Sequence, residues 1–180
     1  MMSAPLVLES LAESSEALAI EWTLDCPTRG IAILDVMVGK DAATPPLHWR
    51  AGDWTKPPLD LRLNEAGGVD SIQFVFQDES VDIGEGLLPD GSEGGFPYFD
   101  VRQWPPSRYL DARIAVKTMR LPSGELYAAI GTGSPERAIT VALGLRFGLD
   151  SSAQLVAIAL GPLTADEWQL ITAAAPFEEA

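Results

Sequence analysis

Apolar and polar residues alternate one by one through much of this chain, and a period of two commits a backbone to extended strands with one buried face. Leu18, Ile20, Trp22 and Leu24 alternate with Ala19, Glu21 and Thr23. Leu59, Leu61 and Leu63 alternate with Asp60 and Arg62, a turn follows at residues 64–68, and Ile72, Phe74 and Phe76 resume the pattern. That is a hairpin signal, and residues 112–131 carry a second one around Pro122 and Gly124. Residues 30–38 are almost continuously apolar and rich in β-branched side chains, which predicts a central strand covered on both faces.

The run from Ala138 to Phe147 needs arbitration. Ser134 and Pro135 before it resemble a helix start. Yet Ile139, Val141, Leu143, Leu145 and Phe147 alternate with small or polar residues, and Gly144 inside a helix would cost about 1 kcal/mol relative to alanine. The spacing predicts one long strand, then a turn near residue 150 and a partner strand bearing Val156, Ile158 and Leu160 on one face. A helix is signalled only at about 164–175, where Thr164 and Glu167 form a capping box and Trp168 and Ile171 supply the buried stripe, with Leu170 and Ala175 as further candidates and Pro176 as the stop. The expected fold is therefore mainly β (β-rich α+β): an antiparallel sandwich or strongly curved sheet, with the C-terminal helix closing an edge or an open end.

At 180 residues, 47% of them hydrophobic, the chain suits a single domain spanning 1–180 with a core of its own. One long excursion interrupts it, an irregular acidic, aromatic and proline-rich insertion at about 78–107. Residues 63–101 hold nine acids and no base, whereas residues 102–146 hold seven bases and three acids. A plain expectation is that the two segments neutralise each other across the folded surface. The whole chain still carries a net charge of −14. Such a field repels nucleic acid and the anionic membrane leaflet, so neither is an expected partner, and a basic protein surface is.

Catalytic signatures are sparse. One cysteine, Cys26, excludes an intrachain disulfide, and one histidine, His48, cannot build a zinc centre; no cofactor or metal is expected. A Cys26–His48 nucleophile pair would need the fold to bring them together. The glycines at 131–133 lack the third glycine of a dinucleotide loop, since Glu136 occupies that position. Glu9, Glu13 and Glu16 interrupt the N-terminal apolar run, which has no basic flank and is not read as a signal peptide; the expected location is cytoplasmic.

These features lead to a non-catalytic acidic protein that binds a basic protein, such as an immunity-type protein occluding a basic bacterial toxin. The expected partner-binding residues are the acids of the excursion, Asp78, Glu79, Asp82, Glu85, Asp90 and Glu93, and the aromatics beside them, Phe96, Tyr98, Phe99 and Trp104. An alternative is a small-ligand or carbohydrate-binding sandwich using Trp49 and Trp54 as stacking platforms. A second alternative is a hydrolase working with carboxylates alone.

Overall fold

The computed structural model describes residues 4–13, 18–39, 44–77, 81–85, 88–91 and 93–174. In chain order the strands are β1 (Leu8–Ala12), β2 (Glu21–Thr28), β3 (Ile31–Met37), β4 (Leu47–Ala51), β5 (Leu59–Leu63), β6 (Val69–Gln77), β7 (Asp82–Ile83) and β8 (Glu93–Gly94). They continue as β9 (Phe96–Phe99), β10 (Tyr109–Ala112), β11 (Val116–Arg120), β12 (Leu126–Ile130), β13 (Arg137–Ala142), β14 (Leu145–Leu149) and β15 (Leu155–Leu160), followed by helix α1 (Ala165–Ala174). Among the described residues these strands form a six-stranded sheet ordered β10-β4-β5-β6-β3-β2, a seven-stranded sheet ordered β7-β11-β12-β15-β14-β13-β8, and the pair β1-β9. The chain is a β-rich sandwich with one C-terminal helix.

The alternation read from the sequence explains the core. Leu34, Leu61, Ile72 and Phe76 of the six-stranded sheet and Leu126, Ile139, Phe147 and Ile158 of the seven-stranded sheet join one buried cluster. Each such side chain contributes about 1.5–3 kcal/mol relative to leaving it exposed. Both expected hairpins form, β5 with β6 and β11 with β12. Among the described residues pairing is antiparallel except at three places: β10 lies parallel to β4, β7 to β11 and β8 to β13.

Two strand expectations are corrected. The single strand over 138–147 is a hairpin, because Gly144 adopts φ +84° and turns the chain, leaving Leu143 exposed at its tip. A register shift between Thr140 and Ala142 keeps both arms in phase, so the apolar alternation runs through the turn unbroken. Strand β3, expected to be covered on both faces, is covered on one. Ala32, Leu34 and Val36 are buried, whereas Ile31, Ile33 and Asp35 are half-exposed and Met37 is 41% exposed.

The helix starts as expected. The Thr164 amide and hydroxyl donate to the Glu167 carboxylate at 2.7 and 3.0 Å, and the Glu167 amide donates to the Thr164 hydroxyl oxygen at 3.2 Å. Trp168 and Ile171 are buried, and Leu170 is exposed; Ala175 and Pro176 lie outside the described residues. The helix ties the two sheets together: Trp168 Nε1 donates to the Gly124 carbonyl in the β11–β12 turn, and Trp22 Nε1 of β2 donates to Glu167. Burial works to raise the Glu167 carboxyl, but hydrogen bonds from Thr164 and Trp22 outweigh it and hold it below the ordinary glutamate range. Thr164→Ala should cost about 1 kcal/mol at neutral pH. A depressed folded-state value stabilises above the unfolded-state value and is lost as pH falls through the folded one, so the deficit should shrink below about pH 4, as urea unfolding at several pH values would measure.

The acidic excursion is built into the sheets. Strand β7 pairs with β11 at one edge of the seven-stranded sheet and β8 pairs with β13 at the other, so the connection between them spans six strand spacings, about 29 Å. On the sheet's outer face Leu88 packs against a patch formed by Leu121, Tyr127, Ala157 and Ala159. Gly148 leaves room for it: a Cβ there would sit 2.7 Å from Leu88 Cδ2. Among the described residues, no helix is long and apolar enough to cross a membrane.

Candidate functional site

The strap at Leu88 lies on the outer face of the seven-stranded sheet, and the outer face of the six-stranded sheet is exposed among the described residues. Strand register arranges that open face in rows. One row runs Tyr109, His48, Arg62, Ser71, Met37 and Glu21; the next runs Asp111, Arg50, Asp60, Gln73, Asp35 and Thr23. A third, shorter row joins Val75, Ile33 and Asp25.

The two ends of this face differ. At the β10–β4–β5 end the charges are matched. Arg50 grips Asp111 through two hydrogen bonds at 2.7 and 2.9 Å, which raise its already high pKa further. Asp60, 8% exposed, accepts from His48 Nδ1 at 2.9 Å and from Arg62 Nε at 3.3 Å. The Tyr109 ring stacks on His48 at 4.5 Å and carries the Arg50 guanidinium 4.7 Å from its centroid. At the β2–β3 end the surface is apolar and acidic. Ile33 and Val75 are cross-strand neighbours, Met37 lies two rows away on β3, Glu21 and Asp25 are exposed beside them on β2, and Asp35, between Ile33 and Met37, accepts the Gln73 amide at 2.9 Å.

The residues expected to bind a partner are placed variously. Asp78 and Glu79 lie outside the described residues; Asp82 belongs to β7. Glu85 and Asp90 are exposed on the strap, while Glu93 is tied to Arg137 at 2.7 Å. Phe96 and Tyr98 are half-buried in β9 and touch edge to face at 5.4 Å. Phe99 is fully buried beside Phe147, and Trp104 is half-buried with Nε1 donating to the Arg108 carbonyl. Phe99 therefore has no surface to offer a partner. Most of this aromatic run anchors its own segment.

The basic residues are largely satisfied within the chain. Arg50, Arg62, Arg102, Arg108, Arg137 and Arg146 each hold a carboxylate, at Asp111, Asp60, Asp100, Glu65, Glu93 and Glu125 respectively. Hydrogen bonds from Arg102 bring Asp100 down to about 2. Since 26 acids face 12 bases, these pairings leave the unmatched surface charge anionic.

Of the ligand platforms, Trp49 is fully buried, and its Nε1 donates to the Ala4 carbonyl at 2.9 Å. It is a core residue, closed to any ligand. Trp54 is half-buried next to Arg50, in a loop whose neighbouring cavity, floored by Leu59, Phe74 and Phe76, encloses about 80 Å³. Ligand pockets usually reach about 300–1,000 Å³. Glu85 and Glu125 border a larger, shallow recess, but Glu125 is already engaged by Arg146 at 2.8 Å, which weakens the case for a carboxylate pair in hydrolysis. Cys26, exposed on β2, lies four strand positions from His48, about 19 Å, so no Cys–His pair forms.

From the sequence His48 entered only as a metal ligand or a partner for Cys26, and Arg50 and Tyr109 were not singled out. Leu47, Trp49 and Ala51 alternate with His48 and Arg50, a strand signal of only five residues enclosed by Pro45, Pro46 and Gly52. No protein-family model matches this chain, and no curated protein matches it.

Proposed function

We propose that this chain is a non-catalytic binding protein that captures a basic protein partner on the β2–β3 end of its six-stranded sheet. The observation that carries the reading is β3 itself, a strand apolar on both faces and packed on only one. Ile33 with Val75 of β6, and Met37 farther along β3, give apolar surface, while Asp35 between them and Glu21 and Asp25 on β2 give it a negative charge. Protein interfaces set apolar contact area among polar and charged groups in this way. Carboxylates left over after the arginines have been matched select a basic partner and speed its approach. Occlusion of a basic toxin by an immunity-type protein is the instance of this role that the charge favours, and a cytoplasmic setting suits it.

The test compares two baits in the same extract from the source cell: the native chain and a variant with Glu21→Gln, Asp25→Asn and Asp35→Asn. A basic protein retained by the native bait at low salt, released by moderate salt and absent from the variant is the expected result. Equal recovery of the same proteins by both baits would remove this face from consideration.

A further inference from the structure

The matched end of the same face has an organisation that partner capture by carboxylates does not use. We propose that Tyr109, His48 and Arg62, neighbours in one row across β10, β4 and β5, form a recognition site for an oxyanion, a carboxylate or a sulfate- or phosphate-like group. Each of the three is held in place from the row behind. Asp60 fixes the His48 ring through Nδ1 and the Arg62 side chain through Nε. Arg50, pinned by Asp111, lies against the Tyr109 ring, which is itself stacked on His48. Among the described residues the remaining polar atoms, His48 Nε2, the terminal nitrogens of Arg62 and the Tyr109 hydroxyl, have no protein partner.

Preorganisation is what makes this arrangement more than a set of cross-strand pairs. Asp60 and His48 have side chains only 12% and 17% exposed, so the imidazole cannot swing away, and an arriving anion orders little that is not already ordered. The guanidinium supplies the fork that planar and tetrahedral oxyanions accept. In a protein of net charge −14 the row is a local exception to the surrounding field, so it selects a group brought close to it. Ionised Asp60 is an acceptor only, so Nδ1 carries the proton and the neutral ring presents a bare Nε2. An oxyanion is therefore bound best by the doubly protonated ring. The charged and titratable groups facing it are Asp60, Arg62, Arg50, Asp111 and Tyr109, and β6 contributes only the uncharged Ser71 and Gln73.

His48 is the sole histidine, so its ring signals in a proton–carbon NMR spectrum report on this site alone. Sulfate and acetate are titrated separately at constant ionic strength made up with chloride. Saturable shifts of the His48 signals with either oxyanion are expected. Arg62→Gln should weaken the affinity roughly tenfold or more, and Tyr109→Phe, which keeps the stacked ring, should weaken it several-fold. The preferred oxyanion shows whether the site suits a tetrahedral or a planar group. The proposal is overturned if chloride alone reproduces the shifts, if neither oxyanion saturates, or if both variants titrate like the native chain. None of these outcomes depends on the basic partner.

Discussion

Trp49→Ala should destabilise the protein by about 3–5 kcal/mol, the largest single loss expected from any aromatic residue exposed to suspicion as a ligand platform. Trp49 is fully buried between the sheets, and its indole nitrogen is satisfied by the Ala4 carbonyl. Truncation therefore removes packing, leaves a cavity and takes away the hydrogen bond to the half-buried Ala4. Urea unfolding should show a lower midpoint with an unchanged slope. Trp54→Ala makes the contrast. That ring is half-exposed and its described neighbour is the Arg50 guanidinium at 5.4 Å, so a change within about 1 kcal/mol is expected. A Trp49→Ala protein as stable as the native one would contradict the core described above and return Trp49 to the list of surface residues.

That the two tryptophans differ so much, five residues apart, shows where sequence reading stops. Local signals carried far: the turns after Leu63 and Leu121, the capping box at Thr164 and Glu167, and the one-sided alternation of Leu59 to Leu63 all read through to the fold, because each depends on residues within a few positions. Gly144 was weighed as an obstacle to a helix and is a turn glycine, since apolar alternation cannot distinguish one long strand from two arms kept in phase by a bulge. The course of the acidic strap depends on β7 and β8 finding edges at opposite sides of one sheet, and neither two-residue strand has a pattern of its own.

The candidate site was less legible for the same reason. His48 meets Tyr109 only because β10 lies parallel to β4, a pairing across about sixty residues that no local pattern encodes. Asp60 looked like the polar beat of an alternating strand, and it is; its partners come from the neighbouring strand and from its own, two positions on. Conversely, the apolar character of residues 31–37 was visible, but its meaning reverses with context. In a sheet layered on both sides it would mean two covered faces, whereas in β3, an interior strand of a sheet covered on one side, it leaves Ile33 and Met37 facing outward.

If that outward face receives a basic protein, the triple change Glu21→Gln, Asp25→Asn and Asp35→Asn should slow association roughly 10- to 100-fold at low ionic strength, within the range that electrostatic steering spans. Stability should move by no more than about 0.5 kcal/mol, because Glu21 and Asp25 are exposed and an asparagine at position 35 can still accept from Gln73. The rate difference should narrow as salt rises, since the Debye length falls to about 8 Å at physiological ionic strength. Glu85→Gln with Asp90→Asn on the strap supplies the comparison: those acids strengthen the same anionic field from the other sheet and should affect the rate less. Met37→Ala separates steering from packing, for it removes no charge and should act on the dissociation rate while leaving the association rate nearly unchanged. Stopped-flow measurements on these three proteins give opposite signatures for the two surfaces. A slow strap variant beside a triple variant that associates at the native rate would move the recognition surface from β2 and β3 to the strap.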